Sequence, residues 1–272
     1  MNRRAQGGAL LVLATLAAGC GRDAAPVETA RAAAPAAAAT DPGGPPPLLR
    51  DAAQLLVVVT PDWDTVAGEL RRYQRPSTGA DWQAVGAPDT IVVGKSGTAW
   101  DPALTPAVPG PVKREGDGRS PAGVFALGTA FGLAAPAEAA WLTLPYVQEI
   151  PTLECVDDPA STYYNRLVDR STVAAVDWKS SEKMAAVGEA YRWGVVVEYN
   201  TSPPQPGQGS CIFLHVSPTP GQGTAGCTAM AAPALDEVMR WLDPAKRPVL
   251  VQLPRSAHAV LAPAWKLPAR AR

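Results

Sequence analysis

From residue 50 onward, apolar residues gather in short runs broken by glycine, proline and charge, a rhythm that predicts strands more than helices. Residues 55–59 form an unbroken apolar run rich in β-branched side chains and predict a buried strand. Residues 66–73 alternate less cleanly between charged and apolar positions, as an edge or half-exposed strand would. Residues 90–93, stopped by Gly94, predict another strand, and residues 112–119 read as a charged glycine loop leading into a strand that begins at Val124 and Phe125. Residues 180–192 read as a helix: Ser180 can cap it, Glu182 suits the positive end of the dipole, and Met184, Val187 and Tyr191 share a face, with Gly194 as the stop. Residues 195–199 and 211–214 predict two strands joined by a Pro/Gly loop. Leu235, Val238, Met239 and Leu242 recur at i, i+3, i+4 and i+7, an amphipathic helix opening at Pro233, and residues 248–253 form a last strand. The tail 255–272, carrying His258, is rich in Pro and Ala and is read as peripheral.

The pattern before residue 50 is different. Arg3 and Arg4, an apolar stretch over residues 9–18 and the small residues before Cys20 make an export signal over 1–19. That stretch is about half the length a bilayer span needs. Leu16-Ala17-Ala18-Gly19-Cys20 has the form of a bacterial lipobox, so Cys20 is expected to be lipidated and to tether the protein to a membrane. Gly21 after it favours the outer membrane. Residues 20–49 are an Ala- and Pro-rich linker with too few large apolar groups to offset ordering entropy, hence a disordered, semi-extended tether.

Composition narrows the function classes. With 24 Lys+Arg against 25 Asp+Glu and no basic run, nucleic acid is excluded as a partner. The chain has 29 Pro and 24 Gly, which favours turn-linked strands over a helical bundle, so residues 50–254 are expected to form one mostly-β domain. Setting Cys20 aside, Cys155, Cys211 and Cys227 remain, an odd number for an oxidising compartment. The pairing favoured here is Cys155 with Cys211, bracing the strand that ends in a histidine and leaving Cys227 free; the alternative is that either is a buried thiol.

The candidate chemistry lies in one segment: an apolar strand ending at His215, a Gly/Pro-rich loop, then Thr224-Ala225-Gly226-Cys227. A thiol attacks as thiolate and is mostly protonated near neutrality, so a nearby imidazole that takes its proton makes it a nucleophile. The chain has two histidines, and Cys227 sits on a small-residue turn rather than inside an apolar run. A metal site is not expected: ligands fall short of the four a structural zinc wants. No cofactor is implied.

These residues resemble the L,D-transpeptidase catalytic domain, the YkuD family. The strongest element is Ile212-Phe213-Leu214-His215 followed by Thr224-Ala225-Gly226-Cys227. Ser120-Pro121-Ala122-Gly123-Val124-Phe125 is similar to the family's Thr-Pro-x-Gly-x-Phe signature, and Asp157-Asp158-Pro159 with Tyr163-Tyr164-Asn165 is similar to one bacterial branch. The resemblance implies a β-sandwich with accessory helices and acyl transfer on peptidoglycan stem peptides. Cys227 would form a thioester, His215 would serve as base and then acid, and the backbone N–H groups of Gly226 and Cys227 would hold the oxyanion. Thr224, Ser217 and Arg119 would shape the substrate pocket, with Ser217 or a backbone carbonyl orienting His215. Two departures bear on acceptor choice: Ala225 stands where many members have a second histidine, and Ala229 where many have Asn or Arg. Hydrolysis of the thioester, or wall binding without catalysis, are the rival expectations.

Overall fold

The computed structural model describes residues 44–104 and 108–268; the export signal and Cys20 lie outside the described residues. The elements in chain order are α1 (Pro47–Asp51), β1 (Gln54–Thr60), β2 (Ala67–Gln74), β3 (Gln83–Val92), β4 (Thr98–Trp100), β5 (Ser120–Gly132) and β6 (Tyr146–Gln148). They continue with β7 (Leu153–Val156), β8 (Leu167–Asp169), β9 (Ser181–Lys183), α2 (Met184–Val187) and β10 (Trp193–Val197). The chain ends through β11 (Phe213–Val216), β12 (Thr228–Met230), α3 (Ala232–Trp241), β13 (Val249–Pro254) and α4 (Arg255–Trp265). The protein is mostly β, as the spacing of its apolar runs predicts.

The main sheet runs β10-β11-β12-β3-β2-β1-β13-β5, and β10 pairs back onto β5. The sandwich is therefore realised as a sheet closed on itself, which leaves few edges open to solvent. This explains the unbroken apolar reading of β1. Leu56 and Val58 point into the enclosed core, while Leu55, Val57 and Val59 point outward under a second layer. α3 lays Leu235, Val238, Met239 and Leu242 into the enclosed core, on the periodicity the sequence shows. β2 is not an edge strand: β1 and β3 flank it, and its mixed pattern arises because one face is only half covered.

Two terminal segments are more ordered than their composition suggests. The tail forms α4, and Ala257, Leu261 and Trp265 sit at i, i+4 and i+8, an apolar stripe buried on the outer face of β1 and β13. Pro254 starts that helix instead of ending the domain. At the other end, Leu49 is buried in the same layer, and Arg75 donates to the carbonyls of Leu49, Arg50 and Ala52, which fixes α1. Leu261→Ala is expected to cost about 2–4 kcal/mol in urea unfolding, the usual result of truncating a buried leucine. A change below about 0.5 kcal/mol would return the tail to the periphery.

The expected helix over 180–192 is broken into three parts. Residues 181–183 extend as β9 and pair with β7, α2 makes one turn, and Gly188 at φ +72° leads into a 3-10 turn over Gly188–Tyr191. The gain of strand pairing and burial of Met184 and Tyr191 outweigh local helix propensity. Gly194 lies inside β10, opposite His215, where Phe131 crosses so closely that a Cβ would meet its ring at 2.2 Å.

Candidate active site

The small sheet β8-β7-β9 covers the outer face of β10 and β11, and the core between them holds Phe131, Cys155, Met184, Tyr191, Cys211, Phe213 and Cys227. A buried carboxylate anchors this cover. Glu154 of β7 accepts from Trp178 Nε1 and Ser181 Oγ, each at 2.7 Å, and pairs with Lys183 at 2.5 Å. Burial opposes its charge, but these donors hold it down to about 2. Cys155 of β7 is disulfide-bonded to Cys211, with Cα atoms 6.0 Å apart, so the cover is tied to the start of β11. Asn165 adds a second clamp by accepting from the Cys211 amide at 2.8 Å and donating to the carbonyls of Tyr199 and Asn200.

β11 runs parallel to β12, with His215 opposite Ala229, so Cys227, one residue before β12, comes alongside Phe213. Leu214, Val216 and Met230 point into the enclosed core. Cys227, His215 and Ala229 face the other way and line one cleft of about 230 Å³ together with Glu182, Tyr191, Ser217 and Thr224. Strand alternation thus places the thiol and the imidazole on one face.

Cys227 is a free thiol, 5 % exposed. Its sulfur accepts from the Phe213 amide at 3.3 Å and faces the Cys211 carbonyl at 3.4 Å. Burial pushes the thiol well above its ordinary range and the Glu182 charge adds to this, while the Phe213 N–H and a hydrogen bond from Tyr191 partly offset it. His215 is held by Nδ1 against the Val216 carbonyl at 2.8 Å. Burial keeps the imidazole below its usual value, and the Val216 and Ala190 carbonyls, which favour its charged form, offset this only in part. The resting pair is therefore a neutral thiol beside a neutral imidazole.

The Thr-Ala-Gly-Cys turn is built from hydroxyls. Thr224 Oγ1 donates to the Cys227 carbonyl at 2.6 Å and accepts from the Gly226 amide at 3.1 Å. Ser120 Oγ also donates to the Cys227 carbonyl, at 2.7 Å, and accepts from Gly94 N–H at 2.8 Å. Gly226 does not need positive φ; it is small because the Arg119 carbonyl would lie 3.2 Å from a Cβ.

Of the expected pocket residues, Thr224 and Ser217 line the cleft. The Ser217 hydroxyl donates to the Thr219 carbonyl at 3.0 Å, so a backbone carbonyl is what orients His215. Arg119 lies elsewhere: its guanidinium donates to the carbonyls of Trp63 and Thr98 and pairs with Asp64 at 2.7 Å. A basic side chain in a loop satisfies nearby carbonyls as readily as it meets a ligand. Glu182, Tyr191 and Ser120 escaped the sequence reading. Ser120 carried a signal, since it stands where the similar signature has threonine; Tyr191 read as packing on a helix face.

A cysteine on a tight turn, an imidazole on the adjoining strand and a cleft open to both define a class, the thiol-centred sites suited to acyl transfer. The family model of the YkuD L,D-transpeptidase catalytic domain matches residues 68–251, and the chain belongs to that family. No curated protein and no solved structure matches the chain. Members of this family act on peptidoglycan and are cysteine-dependent, which points to stem peptides as substrate and to an extracytoplasmic site of action. Among the described residues no helix is long and apolar enough to cross a membrane.

Proposed function

We propose that this chain is a peptidoglycan L,D-transpeptidase. Cys227 attacks the carbonyl of the third stem residue, releases the terminal D-alanine and becomes a thioester. An amine from a second stem, or a free D-amino acid, then takes the acyl group, giving a 3→3 cross-link or an exchanged terminus. The observation that carries the reading is Cys227 and His215 lining one cleft on adjacent parallel strands. With Nδ1–H donated to the Val216 carbonyl, the Nε2 lone pair is the basic one, and the imidazolium formed finds two backbone carbonyls.

Cys227 N–H and Gly226 N–H are the proposed oxyanion donors. Gly226 N–H must first leave the Thr224 hydroxyl, a loss of about 1 kcal/mol against about 3 kcal/mol gained at a developing oxyanion. Thr224 and Ser120 hold the turn, Ser217 lines the donor cleft, and Arg119 buttresses the loop behind Gly226. A smaller cavity of about 180 Å³ on the other side of Cys227 carries Glu115, Asp157 and Glu182 beside Lys113. Its carboxylates suit an acceptor that bears an amine. Cys20 is the proposed lipid anchor, placing the domain on a linker at the periplasmic face of a bacterial membrane, the outer one by preference.

Hydrolysis is the second reading, favoured by one observation: Ala225 and Ala229 line the cleft and leave space for water beside the thioester. Incubation with tetrapeptide muropeptides separates the two. Cross-linked dimers mean transfer, shortened monomers alone mean hydrolysis, and no change in either sinks the enzymatic assignment.

A further inference from the structure

Deep in the cleft, a group that the mechanism above does not use shares a buried cluster with the nucleophile. Tyr191 is 5 % exposed, and its ring packs against His215 at 5.2 Å and against Phe213 at 5.6 Å, edge to face in both cases. Its hydroxyl donates to the Glu182 carboxylate, at 2.6 Å from Oε2, and Tyr191, Glu182 and Cys227 line one cleft, where a hydrogen bond from Tyr191 favours the thiolate. Glu182 reaches this place because β9 pairs with β7, with Glu182 opposite Cys155, and the Cys155–Cys211 bridge ties that sheet to the thiol. Glu182 and Cys227 line both the cleft and the smaller polar cavity, whereas Tyr191 lines the cleft alone.

We infer that Cys227, Tyr191 and Glu182 form one proton-sharing unit, in which Tyr191 is a catalytic residue that donates to the thiolate and Glu182 is the positioning residue that stores the thiol's proton. This rests on Cys227 being the nucleophile proposed above. At rest S–H faces the Cys211 carbonyl and Tyr191 O–H donates to the Glu182 carboxylate; the first movement is a turn of S–H to the Tyr191 oxygen. Beside the route to His215 Nε2, the unit gives the thiol's proton a second destination: it passes to the Tyr191 oxygen while the Tyr191 proton passes to Glu182. The products are a thiolate, an intact phenol and a neutral carboxyl. The Phe213 amide and the Tyr191 hydroxyl then both donate to the sulfur anion. When the tetrahedral adduct collapses, Glu182 returns its proton to the Tyr191 oxygen and Tyr191 passes its own proton to the departing amine, so the amine leaves neutral and Glu182 is ionised again.

The setting suits Glu182 to the task. Burial pushes its pKa up to about 7, the Tyr191 hydroxyl offsets this in part, and the charges of Asp157 and Glu115 add to the rise. Lys113 faces the unit across the polar cavity and His215 faces it across the cleft. Burial drives the Tyr191 phenol far upward as well, so it moves a proton without ever resting as phenolate.

The unit predicts a particular pH dependence of the thiol, readable without any peptidoglycan. Between the Glu182 midpoint and the higher pH at which the unit loses its second proton, the proton that leaves sulfur stays inside the unit, so the thiolate fraction stops changing with pH. The measurement is the rate of iodoacetamide alkylation at Cys227 from pH 5 to 9, followed by mass spectrometry. A His215→Asn background (or His215→Gln) denies the proton a place on imidazole. In that background the rate is expected to rise tenfold per pH unit up to about pH 7 and then level off. Adding Glu182→Gln is expected to abolish the levelling, so the rate keeps climbing about tenfold per unit through pH 9. Adding Tyr191→Phe is expected to slow alkylation at least about tenfold at every pH, since the thiolate loses a donor. Both substitutions preserve shape, and urea midpoints check that the fold is kept. A Glu182→Gln variant that levels at the same pH as its parent overturns the proposal. So does a Tyr191→Phe variant that reacts at its parent's rate. Failure here leaves muropeptide transfer untouched, and failure of transfer leaves these rates untouched, so the two readings fall separately.

Discussion

Cys227→Ala is expected to lose acylation outright: exposed to a carbapenem, the wild type gains the mass of the drug on that residue and the variant gains none. Turnover of tetrapeptide muropeptides should fall by at least about 10⁴, as it does when the nucleophile of a covalent mechanism is removed. The assignment of the adduct is clean, because Cys155 and Cys211 are bonded to each other and Cys227 is the free thiol among the described residues. The loss is chemical and not structural. The side chain fills little volume, and its contacts with the Phe213 amide and the Cys211 carbonyl are long sulfur hydrogen bonds, so the urea midpoint should move little. Cys227→Ser keeps those contacts and should be almost as inactive, since a buried hydroxyl is much harder to ionise than a thiol. A wild type without adduct, or an alanine variant that still takes one, would remove Cys227 from the mechanism.

The second large effect is on stability. Opening the bridge with Cys155→Ala and Cys211→Ala together is expected to cost about 4 kcal/mol on the chain-entropy model, because the bridge closes a loop with a sequence separation of 56. For a domain of this size that is a fall of roughly 8–16 °C in Tm. The effect should reach the site as well. Cys211 holds its backbone at φ +54°, its amide donates to Asn165, and its carbonyl faces the Cys227 sulfur. Freed of the bridge, the small sheet can lift from β11, so alkylation of Cys227 should quicken along with the loss of stability. A midpoint unchanged to within about 1 kcal/mol would mean that packing of Met184, Tyr191 and Phe213 alone holds the cover in place.

The boundary between legible and illegible runs through particular residues. Leu235, Val238, Met239 and Leu242 declare α3 because a helical stripe repeats within a few residues, and the run at 55–59 declares β1 for a comparable reason. His215 and Cys227 were legible together because a short loop joins their strands and their residue types carry chemistry. The 180–192 segment misled: its spacing suits a helix, but pairing of Ser181–Lys183 with β7 is a contact to a strand far back in the chain. Arg119 misled in a different way, since its partners Trp63, Thr98 and Asp64 come from loops that only the fold brings near.

Period and residue type, which act over a few neighbours, were enough to settle from the chain alone that the protein is mostly β, that it belongs with a thiol-bearing turn after a histidine strand, and which residues pack inside. Closure of β10 onto β5, burial of α4, the seat of Glu182 and Tyr191 against the sulfur, and the hydroxyls of Ser120 and Thr224 on one carbonyl were decided by the tertiary structure. Each of those depends on contacts between residues far apart in sequence, where side-chain burial and hydrogen-bond satisfaction outweigh local preference, and no local pattern encodes which distant partner will be met.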